Sequence, residues 1–409
     1  FFFFILLLGI VLALLSEKLQ RNSVLGSLET VLFSVAMPKY EPKAKESPPN
    51  EEKILISQME QVLANFLTLK PKGLGPMPSV TMEIASQTGG SDISFYVSVP
   101  KKLETVFEKY VQGVYSKALV EKIPQDYTVF EPRGQTTGAY LKLKENFLFP
   151  ISTYQKLEKD PLSSITNNLS KIAENEGAAI QIIIRPLKGL NLRQKGEKAL
   201  SKIREGKNVR AAVKEANRGF LGEFFGEALK SGTQVEKNKE SLQKKEQGFD
   251  QQGYESVQSK IQKQAFETNI RMMASAPSQE RADDILNHLT DSFSQFSVLS
   301  VNGFRSIPVK GRQLKQMVYD FSFRIFSEKQ KNILNTEELA SIYHFPTHFT
   351  ETPYLKTVKS LAVAPPADLP ETGVNLLGKV IFRGEEKKIY FSSREDRRRH
   401  FYIIGQTGT

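Results

Sequence analysis

The sequence predicts an α+β protein: an N-terminal transmembrane helix, two ferredoxin-like α+β units with a long helical insert, then the start of a phosphate-loop α/β domain. Three observations carry this prediction. Residues 1–15 read FFFFILLLGIVLALL, without one polar side chain. Segments of period 2 and period 3.6 alternate through the middle of the chain. The last residues are Gly405-Gln406-Thr407-Gly408-Thr409, directly after an apolar run. The 409 residues are 40% hydrophobic and 25% charged, which excludes a disordered or fibrous chain. The absence of Cys excludes disulfide frameworks, thiolate zinc sites and thiol nucleophiles.

A bilayer-spanning helix needs about 20 apolar residues. The chain opens in mid-run and without Met, so the missing part of the span is expected upstream. Four consecutive Phe leave no polar face for a core helix. A cleaved signal peptide is the rival reading, with Ser34-Val35-Ala36 resembling a small-residue cleavage site. Leu19, Leu25, Leu28, Val31 and Leu32 then recur at helical spacing, so residues 1–38 are expected to be an anchor and a juxtamembrane helix. Five basic and four acidic residues between Ser16 and Asn50 orient it only weakly.

Residues 39–50, rich in Pro and charge, form a linker. The first α+β unit covers 51–187. Ile54, Leu55, Met59, Val62, Leu63 and Phe66 define a helix that Pro71-Lys72-Gly73 ends. Val80 to Ala85 and Ile93 to Val99 flank the turn signal Gln87-Thr88-Gly89-Gly90 as a hairpin. A helix over Lys101 to Val120 follows, then strands at Tyr127 to Phe130 and Ala139 to Leu143, a helix at Leu162 to Glu176 and a strand at Ala178 to Arg185. This order matches helices packed on one face of an antiparallel sheet. The second unit, 265–360, repeats the strand-Pro-helix pattern: Phe95 to Pro100 before one helix is paralleled by Ile270 to Pro277 before another. Helices at Arg312 to Phe326 and Asn335 to Tyr343 complete it, the latter with a cap pattern at Thr336-Glu337-Glu338-Leu339.

The insert, 188–264, holds 17 basic and 10 acidic residues, +7 of the chain's net +11. One reading makes it a basic arm for DNA or anionic lipid. The other makes it a solvated helical projection whose mixed charge keeps it soluble. No aromatic residues interleave with Arg there to stack on bases.

Residues 361–373 are a Pro-rich linker, and 374–409 are expected to begin an ATPase domain. Lys379 to Phe382 and Lys387 to Phe391 make a hairpin, and Arg394 to His400 precede the apolar strand Phe401-Tyr402-Ile403-Ile404. Gly405 to Thr409 then fit the first half of G-x-x-x-x-G-K-[ST], in which glycine-rich backbone N–H groups face phosphates. The Gly, Lys and Ser/Thr that complete the motif would be the next three positions, so the chain reads as cut inside it. Gly405, Gln406, Thr407, Gly408 and Thr409 are therefore the candidate cofactor-binding residues. No catalytic or metal residues are assigned.

His344 and His348 have the spacing of helical metal ligands, but Pro346 breaks that helix and two His make a weak site. His288 reads as a surface residue. Glu337-Glu338 reads as a helix start and Glu385-Glu386 as a turn, so a two-carboxylate hydrolase has no specific support.

Residues 333–346, the Pro linker, Leu377-Gly378 and Arg394 to Thr409 together resemble the stretch leading into the ATPase domain of conjugative type IV secretion coupling proteins, in the wider HerA–FtsK class of DNA-pumping ATPases. The resemblance implies a RecA-like motor, ATP and Mg²⁺ as cofactors, a hexamer, DNA as cargo and secretion-channel proteins as partners. It also implies an inner-membrane location with the soluble part facing the cytoplasm, where ATP is. Lacking the Walker A Lys and Walker B, residues 1–409 would not hydrolyse ATP. The competing expectation is a membrane-tethered, non-catalytic binding or scaffold module with a basic insert.

Overall fold

Ten strands form one large antiparallel sheet in this computed structural model. It describes residues 29–39, 50–71, 76–90, 92–187, 192–217, 250–298, 301–350, 352–358, 365–366, 368–382, 385–391, 393–395, 398–400 and 402. The chain divides into two units, Phe1–Thr357 and Val358–Thr409.

In the first unit the strands are β1 (Thr30–Pro38), β2 (Val80–Ser86), β3 (Ile93–Pro100), β4 (Leu119–Lys122), β5 (Gln135–Leu143), β6 (Gly177–Pro186), β7 (Ala265–Ala276), β8 (Phe304–Val309) and β9 (Asn332–Asn335), with the short β10 (Thr357–Val358) at the edge. Their order is β10-β1-β3-β2-β6-β7-β5-β8, with β4 on β1 and β9 on β7. The helices are α1 (Glu51–Phe66), α2 (Glu104–Gln112), α3 (Pro161–Leu169), α4 (Leu192–Arg204), α5 (Val209–Ala216), α6 (Gln251–Gln262), α7 (Gln279–Asp291), α8 (Gly311–Ser322) and α9 (Thr336–Ile342).

Two ferredoxin-like units are not what forms. β6 and β7, expected in separate units, pair along ten positions from Gly177↔Ser275 to Pro186↔Phe266 and make the central seam. All twelve residues of β7 are buried, as are all seven of β2. A strand buried on both faces has its backbone N–H and C=O groups cut off from water and needs a partner on each edge, and β6 and β7 supply one for each other. Similar strand-Pro-helix patterns therefore mark two parts of one sheet.

The expected juxtamembrane helix is also corrected, because Thr30–Pro38 is a strand. Thr30 to Val35 pair with Pro100 to Phe95. Val31 and Leu32 fit a helical stripe, but Phe33, Val35 and Met37 fit a period of 2 and join the main core. Ser34-Val35-Ala36, the rival cleavage site, lies inside this strand. Residues 1–28, with the apolar run, are outside the described residues. Among the described residues no helix is long and apolar enough to cross a membrane.

One face of the sheet carries Met82, Ile84, Phe95, Val97, Ile180, Ile182, Ile270 and Met272 against α1, α2, α3, α7 and α9. Each fully buried aliphatic side chain contributes about 1.5–3 kcal/mol, so this layer dominates the stability. Local signals set the helix ends. Asp160 accepts from Leu162 N–H with Pro161 opening α3, and Ser278 caps α7 through Arg281 N–H. Asn335 and Glu338 form a reciprocal capping box on α9. Gly177 is required where β6 meets the 123–130 segment: a Cβ there would lie 2.3 Å from the Val129 carbonyl oxygen.

The opposite face is covered by α8 and residues 123–130, with Ala85, Tyr96, Val129, Ala179, Met273, Met317 and Phe321 in a smaller core. The expected strand at Tyr127 to Phe130 is a lid on this face instead, and Tyr127 stacks on Tyr96 at 4.4 Å between ring centroids. A third cluster, including Leu200, Ile203, Val213 and Val257, holds α4, α5 and α6 together in the insert. Residues 218–249 of the insert lie outside the described residues.

In the second unit, β11 (Asn375–Phe382) and β12 (Glu385–Phe391) pair in the expected hairpin, with a bulge between Leu376 and Gly378. They form a separate two-stranded sheet. The expected start of a RecA-like α/β domain is thus represented among the described residues by this hairpin only.

Candidate functional site

Gly405, Gln406, Thr407, Gly408 and Thr409 lie outside the described residues. The two histidines of HFPTH are described, and they do different jobs. His344 is fully buried, with Nε2 3.0 Å from Asp160 Oδ1 and Nδ1 2.8 Å from the Ala340 carbonyl. Thr350 donates to the other oxygen of Asp160 at 2.5 Å. His348 packs on Phe349 and approaches Glu51 at 3.9 Å. Among the described residues no group of three or more His, Cys, Asp or Glu could hold a metal ion.

The two acidic pairs also separate. Glu337 meets Lys263 at 2.8 Å, while Glu338 is fully buried against Lys260 and accepts from Ile151 N–H at 3.0 Å. Glu386 pairs with Lys379 across the hairpin.

The concentrated polar chemistry is a row across the sheet's second face. Register places Ser34, Tyr96, Glu83, Gln181, Arg271 and Tyr140 side by side on six successive strands. Gln181 donates to Glu83 at 2.7 Å and to the Phe321 carbonyl at 2.9 Å. Arg271 is fully buried and donates to Gln330 at 2.6 Å, Gln181 at 3.2 Å and the carbonyls of Asp320 (3.1 Å) and Ile325 (2.6 Å). Burial pushes its pKa down to about 10, so it stays charged at neutral pH. A cation among the last carbonyls of α8 complements the negative end of the helix dipole.

Arg324 completes this clamp. It donates to Glu83 Oε2 at 3.0 Å and to Asp126 at 2.6 and 2.8 Å. Burial opposes its charge, but Glu83 and Asp126 more than offset that and hold its pKa above the usual value. Its backbone sits at φ 53°. The Arg324 and Ile325 N–H groups bond back to Phe321 and Asp320, closing α8 in the motif that ordinarily uses Gly at this position. These groups are mutually satisfied and shielded, so the row acts as a positioning device.

What it positions is the outer side of α8. Met317 and Phe321 face the sheet, whereas Arg312, Lys315, Tyr319 and Phe323 fall on the opposite side. Tyr319 and Phe323 are 42% and 40% exposed, with ring centroids 4.7 Å apart. No ion pair engages Lys310, Arg312 or Lys315 among the described residues. Residues 301–331 hold seven basic and two acidic side chains. Glu328 is taken by Arg185 and Lys331, and Asp320 by Gln316. At the neighbouring sheet edge Lys142 lies directly opposite Arg305. Burial, then Arg305 and Lys331, push the Lys142 amine below its ordinary value.

The described part of the insert differs. Lys202 and Lys207 both clamp Glu215, pushing its carboxyl down to about 2. Arg193 pairs with Glu197, Arg210 with Glu145, and Lys195 with Asn217. Residue counts pointed to the insert, where a basic arm and a solvated projection both stood as readings. The α8 surface was missed, although Arg312, Lys315, Tyr319 and Phe323 recur at steps of three or four.

The fold and this surface define a mixed α/β protein built on a large antiparallel sheet, with a clamped helix displayed on one face. The chain belongs to the family described as Domain of unknown function (DUF8128), whose model matches residues 38–357. The match ends at the boundary of the first unit. No curated protein matches the chain.

Proposed function

We propose that this chain is the N-terminal, membrane-anchored portion of an ATP-driven DNA-translocating motor of the type IV secretion coupling kind. The first unit is its accessory domain, and residues 374–409 lead into the nucleotide loop. The observation that carries the reading is Phe401-Tyr402-Ile403-Ile404 followed by Gly405-Gln406-Thr407-Gly408-Thr409. Backbone N–H groups of a loop of this type face phosphates, and the Lys and Ser/Thr that follow it neutralise charge and hold Mg²⁺.

Two structural facts support it. The family-matched domain is a compact unit distinct from residues 358–409. The hairpin β11–β12 exposes Val374, Leu376 and Leu377 at 43–53%. An isolated two-stranded sheet is marginal in water, so that apolar strip is a surface on which further structure can pack. In this reading the apolar run at residues 1–15 is the anchor, and a motor that uses ATP has its soluble part on the cytoplasmic side of the inner membrane. Hexameric assembly and docking to secretion-channel proteins follow from the same reading.

Extending the coding sequence by three residues should give Gly-Lys-Ser or Gly-Lys-Thr, and the full-length protein should bind ATP with Mg²⁺ in a calorimetric titration. A different triplet, or no binding, leaves the membrane-tethered binding module as the better account.

A further inference from the structure

We infer that the outer face of α8 is a binding platform for single-stranded nucleic acid, with Tyr319 and Phe323 stacking on bases and Arg312 and Lys315 meeting phosphates. The inference does not depend on the nucleotide-loop reading, because α8 lies within the family-matched first unit.

Four observations converge on this helix. First, the four side chains share one side of it, opposite the buried Met317 and Phe321. From Arg312 to Phe323 the stripe runs about 16 Å at 1.5 Å per residue. Second, its cations have no carboxylate partner among the described residues, while the two acidic side chains of 301–331 are engaged elsewhere. Third, the aromatic pair is exposed in contact with itself, where stability alone favours burial.

Fourth, the charge order of α8 opposes its own stability. Its first turn has no acidic residue, Lys310 sits at the N-cap without a side-chain cap, and Arg312 and Lys315 follow. Cations at the positive end of a helix dipole are unfavourable until an anion joins them. A segment that breaks local rules while its far end is locked by Arg271, Gln181 and Arg324 is built to display something.

Cations alone would suit any polyanion, including an anionic membrane. The paired rings decide between them, because base–aromatic stacking is the ordinary complement of a phosphate-contacting groove, and it needs unpaired bases. A single strand fits better than a duplex, whose bases are already stacked.

The test uses the full chain and exploits its lack of Trp. Phe323→Trp would place one fluorophore on the platform. Its emission should be quenched by a 20-mer of oligo(dT) but not by inorganic polyphosphate, since only the former carries bases. By fluorescence anisotropy, Tyr319→Ser/Phe323→Ser should weaken oligo(dT) binding by tenfold or more, the scale of one lost stacking contact. Arg312→Gln/Lys315→Gln should lower the slope of log K against log salt by about 1.4, for two phosphate contacts on a single strand. Lys198→Gln/Lys214→Gln, in the insert, should leave affinity within twofold. These exposed substitutions are checked for unchanged circular dichroism melts. Equal quenching by polyphosphate, unchanged affinity in the serine variant, or binding to phosphatidylserine vesicles without oligo(dT) binding would each overturn the platform. ATP binding by the full-length protein is read separately, so either conclusion can fail without the other.

Discussion

Arg324 and Glu83 meet at 3.0 Å across 241 residues of chain, one in a left-handed backbone conformation and the other in the middle of a fully buried strand. Glu83 is 1% exposed and accepts from both Arg324 and Gln181, and the carboxylates of Glu83 and Asp126 hold Arg324 in its left-handed backbone conformation. The pair ties the end of α8 to β2.

Removing that guanidinium therefore strands a buried carboxylate. Arg324→Ala should cost about 3–5 kcal/mol in urea unfolding. Arg324→Gly should be about 1 kcal/mol less damaging, since Gly adopts the left-handed conformation without strain. Equal losses for the two variants would show that the backbone conformation carries no cost.

Lys260 and Glu338 should behave as a coupled unit. Both side chains are fully buried, and Lys260 also donates to the Ile333 carbonyl at 2.9 Å. Burial pushes the Lys260 amine down while Glu338 pulls it back. Lys260→Met and Glu338→Gln should each destabilise by about 3–5 kcal/mol, and the double variant should lose clearly less than their sum. Additive losses in a double-mutant cycle would mean that the two charges do not support each other.

Acid stability should report the Asp160–His344 contact. Burial raises the Asp160 carboxyl, but His344 and the hydrogen bonds from Thr350 and Leu162 N–H outweigh it and leave the pKa below the ordinary value. The unfolded chain then binds protons more readily than the folded one. This stabilisation is complete above the unfolded value of about 3.9 and is lost as pH falls through the lower folded value. In His344→Gln the contribution of His344 is lost and the Asp160 carboxyl moves up toward or past its unfolded value, so the acid-dependent loss should shrink or reverse. Denaturation midpoints compared from about pH 7 to pH 3 check this, and parallel wild-type and variant curves would refute it.

Hydrophobic period and punctuation made much of the local structure legible. Met59, Val62, Leu63 and Phe66 mark the buried face of α1 as expected, whereas Ile54 is exposed and Ile56 is buried in its place, and the Gln87 to Gly90 turn separates β2 from β3. The strands at Ala178 to Arg185 and Ile270 to Ala276 and the hairpin before Arg394 were readable for the same reason. The cofactor-binding proposal also rests on sequence, since Gly405 to Thr409 carry it through residue type and spacing alone.

Partner choice was decided only by the tertiary structure. Period 2 says that a strand has two faces, but not that β6 will find β7 and fuse two apparent units into one sheet. Thr30–Pro38 satisfied both a helical and a strand spacing, and the open edge of β3 resolved it. Glu83, Gln181, Arg271 and Lys260 look like surface residues in the sequence. They are buried because strands and helices from distant parts of the chain bring each a hydrogen-bonding partner, and an ionised group can leave water only where such partners wait. The same closure turned Tyr319 and Phe323 outward, since α8 has one side to give the sheet and Met317 and Phe321 already occupy it.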